Sequence, residues 1–311
     1  MNDQPNLRRT LPTDAVMDEW RAADGFALRR MTWAPEGASR GALMFIGGRG
    51  DFIEKYLECY AYWRAQGWTV TTFDWRGQGR SRGQIRLGNY VTFDALIDDL
   101  DALIADWRAA APIGPHVAVA HSMGAHLLLR AMVDKAPALD AAVLVAPMIG
   151  VNSYPMPAWL APQIAEFMCL VGQRDETVWK LDPAHSRLGG TRNRNLTSCA
   201  DRYADELFWW EDEPGMNLGP PSWGWLRAAY RSAAKGFTRA KLAGVTIPVL
   251  IVATERDRLV SAEAIRNAAA ALPSARVEWV NEAAHEILRE VDPIRLDALG
   301  RIDAFLAEAT G

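Results

Sequence analysis

The sequence predicts an α/β fold, a mostly parallel, doubly wound sheet with an inserted helical cap. Three observations carry this expectation. Short apolar runs rich in β-formers alternate with longer helical patterns, the layout of βαβ units. Most of the short runs are continuously apolar, as in strands covered by helices on both faces. The alternation fails once, between residues 149 and 239, where Pro155, Pro157, Pro162, Pro183, Pro214, Pro220 and Pro221 punctuate short helical stretches. With 311 residues, 50% hydrophobic and 23% charged, the chain can build one large core, and collagen-like, low-complexity and disordered readings are excluded.

In chain order, strands are expected at 26–33 and 42–46, a helix at 54–66, a strand at 69–73 and a helix at 93–109. A strand at 117–120 runs into a helix at 123–134, and a further strand lies at 142–145. After the helical interruption come a strand at 249–253, a helix at 262–272, a strand at 277–280 and a last helix at 293–308. That helix opens Asp292-Pro293, read as an N-cap residue followed by proline at the first helical position. The organisation is therefore a core in two parts, 1–148 and 240–311, with a cap at 149–239. The cap leaves the sheet after one strand and returns before another, so it sits over a strand-end face, where open α/β sheets bind ligands.

Thirty-four basic against thirty-eight acidic residues give no electrostatic footprint for nucleic acid. Cys59, Cys169 and Cys199 are scattered and form no C-x-x-C pair, which fits a reducing, cytoplasmic setting. The first twenty residues build no apolar run of the signal-peptide kind, and no uninterrupted apolar stretch reaches the ~20 residues that span a bilayer. The expectation is a soluble protein, peripheral to a membrane at most; its oligomeric state is not legible.

The most informative segment is Ala120-His121-Ser122-Met123-Gly124, a G-x-S-x-G elbow with alanine at its first position. A serine on a sharp strand-to-helix turn needs small residues two before and two after it, and the turn presents its hydroxyl at the sheet edge. The helix that follows aims backbone N–H groups at a developing oxyanion. Serine is a weak nucleophile at neutral pH and requires a base with a group to orient it. Of the five histidines, His285 follows directly on the strand at 277–280, where it can swing over the strand ends. Asp257 lies just past the strand at 249–253, suited to hold the imidazole Nδ1–H; Glu255 is its competitor, and Asp257 has Arg256 and Arg258 as alternative partners. The order Ser122, Asp257, His285 is that of α/β-hydrolases. The oxyanion donors are expected to be the N–H groups of Met123 and of Arg49, in the loop Gly47-Gly48-Arg49-Gly50-Asp51, with Gly48 allowing close approach of substrate. A phosphate-binding loop is the rival reading, although no Gly-Lys-Ser/Thr follows.

Four segments together, the elbow, Gly47 to Tyr56, Asp74-Trp75-Arg76-Gly77-Gln78-Gly79-Arg80-Ser81 and His285-Glu286-Ile287-Leu288-Arg289-Glu290, resemble the lysophospholipase L2 and monoacylglycerol lipase group of α/β-hydrolases. The likeness runs from about residue 25 to the C-terminus. Gly47 stands where many relatives have histidine, and Ala120 replaces the first elbow glycine. The resemblance implies the α/β-hydrolase fold, serine-hydrolase chemistry on acyl esters, and a structural rather than catalytic role for 74–81.

Six of the thirteen tryptophans fall between 150 and 235. They are read either as walls for an acyl chain, with Trp209 and Trp223 named as substrate contacts, or as cap packing. Phe208-Trp209-Trp210, Trp223 and Trp225 would form an apolar rim facing a membrane or micelle. Arg76, Arg80, Arg82, Arg86, Arg187, Arg192 and Arg194 are read either as contacts to a phosphate headgroup or as a solvated face. The expected activity is cleavage of carboxylic esters of acyl lipids, lysophospholipid or monoacylglycerol, through an acyl-enzyme on Ser122, with no metal or organic cofactor. An acyltransferase, a small-ester or peptide hydrolase on the same triad, and a binding protein that kept the fold without the chemistry are the alternatives.

Overall fold

The computed structural model describes residues 7–85, 89–90, 92–111, 114–180 and 183–311. One eight-stranded sheet contains β1 (Val16–Arg21), β2 (Ala27–Trp33), β3 (Gly41–Ile46), β4 (Trp68–Phe73), β5 (His116–His121), β6 (Ala141–Val145), β7 (Val249–Ala253) and β8 (Ala275–Trp279), in the order β1-β2-β4-β3-β5-β6-β7-β8. β1 with β2 and β2 with β4 pair antiparallel, and every other neighbouring pair is parallel. The central strands β3, β5, β6 and β7 are buried at every residue, as their continuous apolar runs require.

β1 lies outside the strands expected from the sequence. Only Trp20 of its six residues is buried, so as an edge strand it lacks an apolar run. Its one local signal is the Asp24-Gly25 pair that turns it into β2, with Gly25 at φ +82°, a conformation glycine adopts without steric cost.

Helices cover both faces. α1 (Leu57–Ala65), entered through a 3-10 turn at Ile53–Tyr56, shares one core with α11 (Asp292–Thr310). α2 (Asp94–Ala110) and α3 (Met123–Asp134) share the other with α10 (Ala262–Ala269). Asp292 is the first residue of α11 and not its cap, a place taken by Val291; the Asp292 carboxylate turns to the Arg202 guanidinium instead.

Between β6 and β7 the described chain forms α4 (Ala161–Leu170), α5 (Pro183–Ser186), α6 (Thr191–Leu196), α7 (Ala200–Asp212), α8 (Trp223–Gly236) and α9 (Arg239–Leu242). α8 is fastened to α3. Arg130 donates to Ser232 O at 2.8 Å and to its Oγ at 2.6 Å, while His126 Nδ1 donates to Met148 O at 2.8 Å and Nε2 accepts from Ser232 Oγ at 2.7 Å. Burial pushes the His126 pKa down to about 4, which keeps it neutral for this role. α7 is fastened to the core through Arg202, which reaches Glu58 and Glu290 O, and through Asp205, which takes Arg8 and Arg9 of the N-terminal turn Leu7–Arg9.

Candidate active site

Because β3, β5, β6, β7 and β8 are parallel neighbours, their C-terminal ends deliver five loops to one edge of the sheet. Ser122 follows β5 with φ 51° and ψ −113°, left-handed for a residue that is not glycine and therefore strained. The surroundings hold it there: Ser122 N donates to Val145 O at 2.9 Å, and Ser122 O accepts from His126 N at 3.0 Å and Met148 N at 3.1 Å. A Cβ on Gly124 would stand 2.4 Å from both Gly47 O and Ile46 O, so the position two after the serine admits glycine alone. Ala120, two before it, is fully buried with its methyl in the core, so alanine satisfies the first elbow position.

His285 and Asp257 come to Ser122 from the two strands beyond. His285 Nε2 lies 2.8 Å from Ser122 Oγ, and Nδ1 lies 2.7 Å from Asp257 Oδ2. A carboxylate only accepts, so Nδ1 carries the proton and Nε2 faces the hydroxyl as an acceptor. The other Asp257 oxygen accepts from Leu259 N at 2.7 Å and Val260 N at 3.0 Å. Burial works to raise the Asp257 pKa, but His285 and these two N–H groups outweigh it and hold it below its ordinary value. For His285, burial pushes the pKa down, yet Asp257, with Glu286 and Asp51 beyond, outweighs it and raises the imidazole. Glu255 is exposed and paired to Arg266 at 2.5 Å, away from the histidine. Arg256 and Arg258 are both exposed.

The loop after β3 closes the other side. A Cβ on Gly48 would stand 3.0 Å from Ser122 Cβ and 3.1 Å from Asp51 Oδ2, so the loop lies close against the serine with little room for a side chain. Gly48 N donates to Asp51 Oδ2 at 2.6 Å and Gly50 N to Gln78 Oε1 at 2.5 Å. The Arg49 guanidinium reaches across to Gly219 O and Pro220 O at 2.9 and 3.0 Å and lies over Trp225. Met123 is the first residue of α3.

Ser122 and His285 open into a cavity of about 490 Å³. Its lining includes the apolar side chains of Met148, Ile164, Val178, Trp179, Trp223 and Leu226 and the polar ones of Asp51, Lys55, His185, Arg192, Asn195 and Glu286. Trp223 is one of these lining residues. Trp209 is not: it is 6% exposed, packs in the core, and donates Nε1 to Arg8 O at 2.9 Å. The next residue of α7, Trp210, reaches the cavity in its place, because a step of about 100° around a helix exchanges core face for cavity face.

The arginines divide similarly. Arg76 is held by Asp24 and Asp99, Arg80 by Glu213, Arg82 by Gly215 O, and Arg194 by Gly189 O and Thr191. Arg187 is exposed, and Arg86 lies outside the described residues. Of this set Arg192 lines the cavity, chelated by Glu206 and stacked on Trp210. The sequence reading missed Lys55, Asp51, Glu206 and Glu286, whose ionic contacts are set by the fold; the only local signal is the i,i+4 spacing of Asp51 and Lys55.

The comparisons with known proteins agree on this framework. Lysophospholipase L2 of Escherichia coli K12 is 27% identical over 303 residues, covering 92% of this chain and 86% of its own length. A Haemophilus influenzae protein named "Probable lysophospholipase L2" is 28% identical over 281 residues, covering 88% and 85%. Among solved structures, a soluble variant of Saccharomyces cerevisiae monoglyceride lipase with a substrate analog superposes with a TM-score of 0.75 at 16% identity, over 98% of this chain and 99% of that one. A carboxyl esterase from Bacillus coagulans with glycerol superposes at 0.74 and 17%, over 96% and 100%; at such identities the likeness is one of fold. The family model described as serine aminopeptidase, S33, matches residues 37–292. With that match over most of its length, and with an eight-stranded sheet bearing a strand-to-helix elbow, the chain belongs to the serine aminopeptidase S33 family of α/β-hydrolases.

Proposed function

We propose that this protein hydrolyses carboxylic esters of acyl lipids, monoacylglycerol or lysophospholipid, through an acyl-enzyme on Ser122. The observation that carries the reading is the continuous hydrogen-bonded series Ser122 Oγ, His285, Asp257 at 2.8 and 2.7 Å, with Ser122 and His285 lining a cavity that has both apolar and polar walls. His285 takes the proton as Ser122 attacks the ester carbonyl, and Asp257 holds the tautomer and stabilises the imidazolium. The N–H groups of Arg49 and Met123 are the proposed oxyanion donors, supported by the position of Met123 at the start of α3 and by the contact of Gly48 with the serine. One such donor is typically worth about 3–4 kcal/mol in the transition state. His285 then protonates the leaving alcohol and activates water for deacylation, and no step calls for a metal or organic cofactor.

In this reading residues 149–239 cap the site. The apolar lining that includes Trp223 takes the acyl chain, and the partly exposed polar lining, His185, Arg192 and Asn195, takes the headgroup. The names of the relatives, lysophospholipase L2 and monoglyceride lipase, support a lipid. Asp51 and Glu286 are both engaged by Lys55, which disfavours their receiving the α-ammonium of a peptide. The cavity mouth also favours a lipid surface. Tyr154 and Trp179 line the cavity and are themselves 88% and 49% exposed, and Trp159, Phe167, Leu170 and Val171, nearby in the chain, are exposed as well. Of the 208–225 rim expected from the sequence, Trp209 and Trp225 are buried and Phe208 is 36% exposed. Among the described residues no helix is long and apolar enough to cross a membrane, so the proposed contact is peripheral, at a cytoplasmic membrane face.

The test is fatty-acid release from monoacylglycerol and lysophospholipid of matched chain, beside a short aryl ester, with Ser122→Ala as control. Ser122-dependent release from either lipid supports the proposal. Cleavage of the aryl ester alone keeps the serine esterase and discards the lipid; new esters formed on adding glycerol would identify an acyltransferase.

A further inference from the structure

Beside the proposed catalytic residues lies a buried ionic cluster that the mechanism above does not use. The Lys55 ammonium, its side chain 2% exposed, contacts Glu286 at 2.6 Å, Asp51 at 2.8 Å and Glu206 at 3.3 Å. With three N–H donors facing three carboxylates, its hydrogen-bonding capacity is filled. Each carboxylate belongs to a different part of the site. Asp51 ties down the loop after β3 by accepting from Gly48 N and from His121 Nδ1, the latter at 2.8 Å. Glu286 follows His285 directly in sequence, and Glu206 is on α7. The cluster is balanced: Arg289 reaches Glu286 and Glu206, and Arg192 chelates Glu206, giving three cations for three carboxylates.

We infer that Lys55 is a positioning residue, a buried ammonium that fixes the oxyanion loop, the histidine loop and cap helix α7 relative to one another. This inference rests on the proposed roles of Ser122, His285 and Arg49. The geometry favours positioning over simple support of the fold because all three contacts end on elements of the site. Two backbone bonds run alongside, His285 N to Asn195 O at 3.4 Å and Glu286 N to Leu196 O at 2.7 Å, so the histidine loop touches the cap directly. The carboxylates are almost wholly shielded from water, with side-chain exposures of 3%, 0% and 2% for Asp51, Glu206 and Glu286. Loss of the ammonium would therefore leave uncompensated negative charge that solvent cannot screen.

That charge faces the base. Around His285 stand Asp257 from the turn after β7, Asp51 from the loop after β3, Glu286 on its own loop, and His121 at the end of β5, whose ring centroid is 5.0 Å away. Lys55, Arg289 and Arg192 offset the carboxylates. Removing Lys55 makes the surroundings of His285 more negative and favours the imidazolium. Removing the Glu286 charge does the opposite. A residue that only supported the fold would lower the amount of active protein without moving either limb of a pH profile.

The experiment measures hydrolysis of a short aryl ester from pH 5 to 9 by wild type, Lys55→Met, Lys55→Arg, Glu286→Gln and Ser122→Ala, each checked for folding by circular dichroism. Lys55→Met is expected to lose at least ~10-fold in kcat with KM little changed, because misplacing two reacting groups by a fraction of an ångström acts on the transition state. Its acid limb moves to higher pH, that of Glu286→Gln to lower pH, and Lys55→Arg recovers most of the activity. Folded Lys55→Met or Glu286→Gln with wild-type kcat and an unmoved limb would overturn the inference. If Lys55→Met does not fold, the direction of the Glu286→Gln limb decides alone. Activity surviving in Ser122→Ala would instead remove the reading on which the inference stands, so the two failures are distinguishable.

Discussion

Gly124→Ala tests how tightly the elbow is built against the loop after β3. The added Cβ would meet Gly47 O and Ile46 O at 2.4 Å, whereas carbon–oxygen contacts of the closest favourable kind lie at about 3.3–3.6 Å. The start of α3 and the end of β3 must then separate by about 1 Å, and both atoms met are backbone, so no side-chain rotation relieves the contact. A misplacement of that size costs on the order of 10²-fold in rate, or about 2.7 kcal/mol of transition-state stabilisation. The same overpacking costs about 1–3 kcal/mol of stability. The assay is kcat and KM on a short aryl ester together with a thermal melt: kcat falls about 100-fold, KM changes little, and the melt drops by several degrees. Ala120→Gly is the control, since its methyl already fits the core, and loses about 1 kcal/mol of stability at most. A Gly124→Ala protein with wild-type kcat would refute the close packing of elbow and loop.

Four further outcomes follow from the structure. If His285 is the base, it must be neutral to act, and since its pKa is raised mainly by Asp257 against burial, the acid limb of kcat/KM is expected above the ordinary histidine value of about 6.5; Asp257→Asn moves it down, and a limb below that value in wild type contradicts the assignment. The linked stability has the matching sign: the protonated His285–Asp257 pair contributes fully below the unfolded histidine pKa and its contribution fades as pH rises through the raised folded value, so melts at acid and alkaline pH should differ less in His285→Ala than in wild type. Trp223→Ala is expected to reduce turnover of long-chain esters more than short ones, while Trp209→Ala costs about 3–5 kcal/mol of stability without chain-length discrimination; equal loss on both chain lengths in Trp223→Ala would count against an acyl wall. Phe167→Asp with Leu170→Asp should weaken sedimentation with phospholipid vesicles and leave hydrolysis of a soluble short ester intact, and unchanged sedimentation would remove the membrane-facing role of α4.

The fold was legible where burial leaves a local trace. The runs that became β3, β5, β6 and β7 are apolar throughout because helices cover both faces, and the elbow is legible because its small residues are demanded by backbone contacts within a few ångströms. β1 left almost no trace, since an edge strand with one buried side chain has a surface strand's composition. The choice between Trp209 and Trp210 depends on the rotational phase of α7, which adjacent aromatic residues do not reveal. Whether an arginine is available to a ligand depends on partners distant in sequence, such as Asp99 for Arg76 and Glu206 for Arg192. The Lys55 cluster was hidden for the same reason: Glu206 and Glu286 lie 151 and 231 residues from Lys55 in the sequence.

The central claim, that Ser122 is activated by His285 to form a covalent acyl-enzyme, is tested most directly by treating the purified protein with a fluorophosphonate and measuring its mass whole and after digestion. The account predicts a single adduct, on the peptide containing Ser122, absent from Ser122→Ala and formed far more slowly in His285→Ala. An adduct on another residue, or undiminished labelling of Ser122→Ala, would contradict it.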